Sequence, residues 1–448
     1  MKFDEVKEFL IAESERIGLQ EYEVYYMESS DMNAETLKDE ISSFSSGVRG
    51  GVCFRCIVDG HMGSASGELL EENEMRALVA RAVENAKNIE SDDKAILYKG
   101  SDSYETVVLP QVPQINASKL KSLALDMQKT TYGTSEYITD GTQSAVFTSK
   151  INTQLMNSHG LRLSNSVSMS GAYVQAVIQK DGEAQDDFDW TLDIDNETAV
   201  KALSSSAVEM AISKIGAVEV DTGKYDIIIS GKKMRDLLSA YSSSFSAKKA
   251  QLGMSMLKGK EGHKVAADIV TLIDDPMRTG CPMQTSFDGE GVATYKKNVI
   301  ENGVLNTLLY DLSTADKVDK ESTGNGQRLS YSNTVSIAPY SFYIEKGRDS
   351  FEELLKKVGN GLYITEFKGM HAGCNGVTGD FSIESAGYLI RDGKLCEAVK
   401  SFTVAGNFFT LLKSIESLSD NVEFGIPSGF TCYGAPDVLL RNMSIAGK

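Results

Sequence analysis

The stretch Ala217 to Ser230 reads AVEVDTGKYDIIIS. Its first part, Ala217 to Lys224, mixes charge with Thr and Gly and keeps neither a helical nor a strand period, so it reads as a connection. Tyr225 to Ser230 (YDIIIS) then starts afresh as a short apolar strand. A helix is expected directly after it, from Lys232 to about Lys249. This restart divides the 448 residues into an N-terminal part, 1–220, and a C-terminal part, 221–448. Each part is large enough to bury a core without a disulfide or metal staple.

Working back from the restart, the N-terminal part alternates helices with strands. Phe3, Val6, Phe9, Leu10 and Ile17 sit at helical spacing, with Gly18 as a stop. Glu21 to Ser30 reads as a strand, and Ile41 to Ser66 as strands broken by glycine turns. Helices are expected at Leu69 to Ile89, Ala117 to Gln128 and Ala199 to Ile215. Ser144 to Leu192 turns to β, with turns at Asn157–Gly160 and Asp181–Gly182. Working forward, the C-terminal part is mostly short strands punctuated by Asp288–Gly291 (DGEG), Glu301–Gly303 (ENG) and Asp392–Gly393 (DG). Helices interrupt at Phe351 to Val358 and Phe408 to Ser417. The fold class is therefore α+β. A helix-and-sheet domain precedes a β-rich domain with a curved or barrel-like antiparallel sheet.

Composition bounds the function. Hydrophobic residues at 41% and charged residues at 24% are ordinary for a globular chain. A net charge of −18 repels phosphate backbones and anionic membranes, so neither nucleic acid nor membrane is an expected partner. The opening MKFDEVKEFL carries acids where a signal peptide needs a basic start and an apolar core. Nothing approaches the roughly 18 apolar residues of a membrane span. A cytoplasmic protein with six reduced cysteines is the expectation.

The candidate chemistry is sparse. A zinc peptidase typically needs two or three protein ligands and a nearby base. The four histidines, His61, His159, His263 and His371, stand far apart, and none is followed by Glu. Cys53 and Cys56 form a C-x-x-C within a predicted strand, where an offset of three puts the side chains on opposite faces, so buried strand cysteines are the plainer reading. Cys374 lies three residues after His371 (HAGCN), a conceivable thiol nucleophile and base, although catalytic partners are seldom sequence neighbours. Asp274 and Asp275 precede Pro276 as an acidic turn opening. The glycines of Gly47–Gly51 (GVRGG) and Thr323–Gly326 (TGNG) lack the Lys and Ser/Thr of a phosphate loop.

Several spaced motifs in the second half belong together. They are Phe287 to Ile300 (FDGEGVATYKKNVI), Glu301 to Leu309 (ENGVLNTLL), Ser322 to Gly326 (STGNG) and Asn375 to Asp392 (NGVTGDFSIESAGYLIRD). Thr403 to Asn407 (TVAGN), Asp420 to Val422 (DNV) and Gly434 to Gly447 (GAPDVLLRNMSIAG) follow. In this order they resemble the TldD/PmbA family, also called modulators of DNA gyrase. One branch of that family carries an HExxxH zinc motif on the helix after the central strand, and the other, TldE/PmbA-like, lacks it. The matching window here is Ser239 to Ser244 (SAYSSS), with Ser239 and Ser244 at the His positions and Ala240 at the Glu position. No His or Glu occurs from Lys224 to Lys260. The zinc branch's late cysteine ligand falls near Phe424, with Cys432 close by.

The resemblance implies a TldE/PmbA-like subunit without a cofactor of its own, paired in a heterodimer with a TldD-like zinc peptidase subunit, a homodimer in isolation being open. Zinc is expected in that partner, and unfolded peptides are the expected substrates, held in extended form along a sheet edge. Gly369, His371, Asn375, Thr378 and Asp380 are the expected wall of the substrate groove. Two other readings stay open: an independent peptidase using His371 and Cys374, and a regulatory protein acting on gyrase.

Overall fold

The computed structural model of the protein describes residues 3–90, 93–108 and 115–448. Met1 and Lys2, which open the MKFDEVKEFL stretch, lie outside the described residues, as does the Phe3 side chain.

Six strands of the first half form one antiparallel sheet in the order β3-β2-β1-β4-β5-β6. They are β1 (Glu21–Leu37), β2 (Glu40–Val58), β3 (His61–Gly67), β4 (Gln143–Asn157), β5 (Arg162–Lys180) and β6 (Glu183–Thr191). Because side chains alternate across a strand, each face has its own covering. Val24, Val52 and Phe54 pack under helices α1 (Phe3–Arg16) and α2 (Glu72–Asn88). Ala34, Val146 and Val174 pack under α3 (Ala117–Tyr132) and α4 (Glu197–Ser213). The opposite face, with Tyr25, Met27 and Leu155, meets Phe287 of the second half. Cys53 belongs to this latter face and Cys56 to the helix-covered one, so the C-x-x-C points two ways.

The second half is built around β7 (Gly223–Ile229). On one side β7 pairs in parallel with Gly361–Lys368, and on the other antiparallel with Val438–Ala446. Gly361–Lys368 continues to Asp380–Arg391 and then Lys394–Asn407, whose Thr403 and Val404 return to Ala446 and Ile445. Five strands thus close into a barrel, which leaves no open edge along the ring. Register shifts at Ile364/Glu366 and Ser385/Gly387 bend the strands into the turn of the barrel. Glycine is required at the second of these shifts: a Cβ on Gly387 would lie 1.9 Å from the Tyr363 carbonyl oxygen. The expected barrel-like sheet is present, with the parallel β7 pairing an addition to the antiparallel pattern. A second sheet beside it joins Leu272–Asp274, Ser341–Ile344 and Cys432–Ala435, again with one parallel pair.

The helix expected from Lys232 to about Lys249 is broken. Helix α5 (Gly231–Tyr241) gives way to one tight 3₁₀ turn at Ser242–Phe245 and resumes at Ala247–Gln251. The serine run explains the break. The Ser242 hydroxyl donates back to the Ser239 carbonyl at 2.9 Å, an option that competes with the helical ladder. Phe245 meanwhile turns fully inward against Phe342. The helix from Phe408 likewise stops early, at Ser414, and passes into a strand, Ile415–Leu418. Among the described residues no helix is long and apolar enough to cross a membrane.

Candidate functional site

Helix α5 leaves the carboxyl end of β7, and the window of interest runs from its last turn into the 3₁₀ turn that follows. Its first turn is capped by Ser230, whose hydroxyl accepts from the Lys233 N–H. Its Gly231 N–H donates to Asp437 at 2.7 Å. Ser239 and Ala240, near its far end, are exposed. Ser244 is buried; its hydroxyl donates to the Gly376 carbonyl at 3.0 Å, and its own carbonyl accepts from Ser255. The Ser242 and Tyr433 hydroxyls share a hydrogen bond at 2.9 Å. Zinc sites are typically built from imidazole nitrogen, thiolate or carboxylate. Two neutral hydroxyls and a methyl group at the three window positions do not fit that ion. The Phe424 region does not add a ligand to the window: the Phe424 carbonyl accepts from Arg235, and its ring lies under the Arg278 guanidinium at 3.6 Å.

The segment from Gly369 to Asp380 lies at the same end of α5. A one-turn helix, Met370–Gly373, puts His371 on the surface and leaves Cys374 half-buried. Cys374 interacts with the Tyr241 phenol, while burial pushes its thiol up, away from the thiolate a nucleophile needs. The following loop is tied to itself. The Asn375 side chain accepts from the Val377 and Thr378 N–H groups, and Asn407 donates to Asp380 at 2.9 Å. Hydrogen bonds from Asn407 and Thr378 hold the Asp380 carboxyl low. Gly369, Asn375, Thr378 and Asp380 are all exposed.

At the other end of α5 lies a cleft of about 540 Å³ that the sequence did not announce. One wall is β6, the outermost strand of the first sheet; the other is the start of α5, the strand Gly361–Lys368 and the loops at Ser419–Glu423 and Asp437. Among the described residues no strand pairs with the outer edge of β6. Its main chain is nonetheless engaged there. The Lys214 ammonium donates to the Asp186 carbonyl at 2.8 Å, and the Phe188 N–H donates to the Asp187 carboxylate. Lys214 also reaches Asp187 at 3.0 Å and Glu366 at 3.3 Å, and so spans the cleft. Burial alone would lower the Lys214 pKa, but these two carboxylates outweigh it and raise it. Burial pushes Asp437 up to about 6, against the pull of the Gly231 N–H. Trp190, the single tryptophan of the chain, and Phe188 supply aromatic surface beside this edge.

Of the other sequence candidates, His61 begins β3 and His159 lies in the β4–β5 turn beside Glu21. Asp275 accepts from the Met277 N–H at the expected turn. Asp274 is instead fully buried, binding Lys297, Asn325 and the Tyr340 N–H. Among the described residues no three His, Cys, Asp or Glu side chains are grouped to hold a metal ion.

Three family descriptions match the sequence in order: PmbA/TldA metallopeptidase domain 1 over residues 22–86, the central domain over 110–215, and the C-terminal domain over 222–447. The chain is 28% identical over 418 residues to protein MJ0231 of Methanocaldococcus jannaschii, covering 92% of this chain and 94% of that one. It is 26% identical to metalloprotease MJ0996 of the same organism, covering 88% and 89%. It is 24% identical to the metalloprotease PmbA homolog of Haemophilus influenzae, covering 86% and 83%. Among solved structures, a Thermotoga maritima protein described as a modulator of a DNA gyrase superposes with a TM-score of 0.88 at 26% identity, over 99% of this chain and all of that one. TldE from Thermococcus kodakarensis shares the fold, with a TM-score of 0.86 at 24% identity over 99% of this chain. With all three domains matched and the C-terminal one spanning half the sequence, the chain belongs to the PmbA/TldD metallopeptidase family.

Proposed function

We propose that this chain is the TldE/PmbA-like, substrate-holding subunit of a two-component cytoplasmic peptidase, and that a TldD-like partner supplies the zinc and the hydrolytic step. The observation that carries this reading is the chemistry of α5. We read the end of α5 and the 3₁₀ turn after it as standing where the zinc branch keeps its motif; here Ser239 and Ala240 lie on the helix and Ser244 in the turn, with the Ser244 hydroxyl committed to a main-chain carbonyl. Such a helix serves as scaffold rather than as a metal ligand set.

The holding function fits the edge of β6. An extended chain laid along this edge would exchange main-chain hydrogen bonds with outward-facing groups, which gives affinity with little regard for sequence. Asp186 and Phe188 are such outward-facing residues, now capped by Lys214 and Asp187. A peptide entering the cleft would replace these caps one for one. The exposed segment containing Gly369, His371, Asn375, Thr378 and Asp380 would lie further along α5 as a second contact.

Trp190 provides the test. Titrating the chain with a reduced, alkylated and therefore unfolded protein is expected to shift Trp190 emission saturably. Phe188→Pro, which removes an outward N–H, is expected to weaken that binding. Wild-type emission unmoved by unfolded protein, with no complex detected in a sedimentation experiment, would contradict the reading.

A further inference from the structure

An asparagine followed by glycine sets a side-chain amide beside the least hindered of main-chain nitrogens, since glycine has no Cβ to shield it. The nitrogen can attack the amide carbon and close a ring. The pair occurs four times in the sequence, at Asn302–Gly303, Asn325–Gly326, Asn360–Gly361 and Asn375–Gly376. The fold treats the four differently.

Three are held out of reaction. The Gly303 N–H is committed to the Val270 carbonyl at 2.9 Å. Asn325 is fully buried, with its amide donating to Asp274 at 2.7 Å, and the Gly326 N–H donates to Asp288 at 2.8 Å. Gly361 is buried at the start of its strand, so close to Asp226 that a Cβ would lie 2.0 Å from the Asp226 carbonyl oxygen. The Asn360 side chain accepts instead from the Asp392 N–H at 3.2 Å.

The fourth pair is left open. Asn375 is exposed and Gly376 half-buried. Among the described residues no acceptor takes the Gly376 N–H. A Cβ added to Gly376 would meet nothing nearer than the Ser243 hydroxyl oxygen, at 3.9 Å. Asn375 Oδ1 accepts from the Val377 N–H at 3.0 Å and the Thr378 N–H at 3.2 Å. A side chain bonded to its own backbone two residues on is folded over the nitrogen between them, because the closed turn passes through that atom. The two donors also polarise the amide carbonyl. They stand where negative charge gathers on Oδ1 during attack, as the donors of an oxyanion hole do.

We propose that Asn375–Gly376 is a self-modification site, at which the chain converts Asn375 to aspartate and isoaspartate through an internal succinimide. The Gly376 nitrogen loses its proton and attacks Asn375 Cγ, and the Val377 and Thr378 N–H groups hold the oxyanion. The Cγ–Nδ2 bond breaks, and ammonia leaves with the proton that Gly376 gave up. Water then adds to one of the two ring carbonyls and opens the ring to a carboxylate. One water is consumed and one ammonia released, with no change of oxidation state. The new charge stands in the loop that already carries Asp380. The isoaspartyl form also lengthens the main chain before Gly376 by one carbon. That displaces the Gly376 carbonyl, which accepts from Ser244 at 3.0 Å, and so loosens the 3₁₀ turn after α5.

The test incubates the purified full chain at mildly alkaline pH, folded and in urea, and follows all four sites by peptide mass spectrometry. In the folded chain Asn375 is expected to react at least about tenfold faster than Asn302, Asn325 or Asn360. It should react no more slowly there than in urea, where the four rates converge. Gly376→Ala, for which the fold has room, should remove this advantage with the melting temperature unchanged. Amide exchange across Ser242–Phe245 should quicken in the modified fraction. Folding that slows Asn375 to the rate of the other three would overturn the proposal, and that comparison needs only the wild-type chain.

Discussion

The Ser244 hydroxyl donates to the Gly376 carbonyl at 3.0 Å, across 132 positions of sequence. The bond ties the 3₁₀ turn after α5 to the Asn375–Asp380 loop. Ser244 is buried and the tie partly so, and removing the hydroxyl leaves a carbonyl short of its partner. Ser244→Ala is expected to cost about 1–2 kcal/mol in denaturant unfolding. Ser239→Ala, at an exposed position, is expected to change stability by less than about 0.5 kcal/mol.

Glu290 sets a pH dependence. It is buried in the DGEG turn, where its carboxylate accepts from the Leu312 N–H. Burial, and then the nearby Asp288, push its pKa up to about 8. A carboxyl raised in the folded state is more protonated there than in the unfolded chain between the two pKa values. Its contribution is therefore complete below about pH 4.5 and is lost as pH climbs toward 8. Glu290→Gln, which stays neutral, is expected to flatten the fall in melting temperature between pH 5 and about pH 8. An unchanged slope in the variant would place the titration elsewhere.

Lys214 joins the two halves across the cleft. Replacing it with Met leaves Asp187 and Glu366 facing each other without their cation and strips the Asp186 carbonyl of its donor. Breaking a fully buried pair typically costs about 3–5 kcal/mol. Both carboxylates here keep 24% of their side-chain surface exposed, so about 2 kcal/mol is expected. Equilibrium unfolding of Lys214→Met measures it.

Local signals in the sequence carried much of the fold. The helix Phe351–Val358 was legible to the residue because Ser350 and Glu353 form a reciprocal capping box around its start. Cys53 and Cys56 fell on opposite faces because a strand alternates strictly. What depends on distant pairing was not legible. Thr403 meets Ala446 to close the barrel, and no local pattern states which strand ends will meet. The break after Tyr241 was not legible either, because it goes with the packing of Phe245 against Phe342, a residue nearly a hundred positions away. The β6 cleft was missed for a simpler reason: Asp186, Gly231, Tyr363 and Asp437 meet only once both halves are folded. Its one local hint was the alternation of acid and aromatic residues in Asp186–Trp190.

The central claim concerns which subunit holds the metal. The direct measurement is zinc content together with cleavage of an unfolded protein, for the purified chain alone and after mixing with a zinc-bearing TldD-like subunit. The account predicts a metal-free, inactive chain that joins an active complex only with that partner. About one zinc per chain, with chelator-sensitive cleavage by the chain alone, would contradict it.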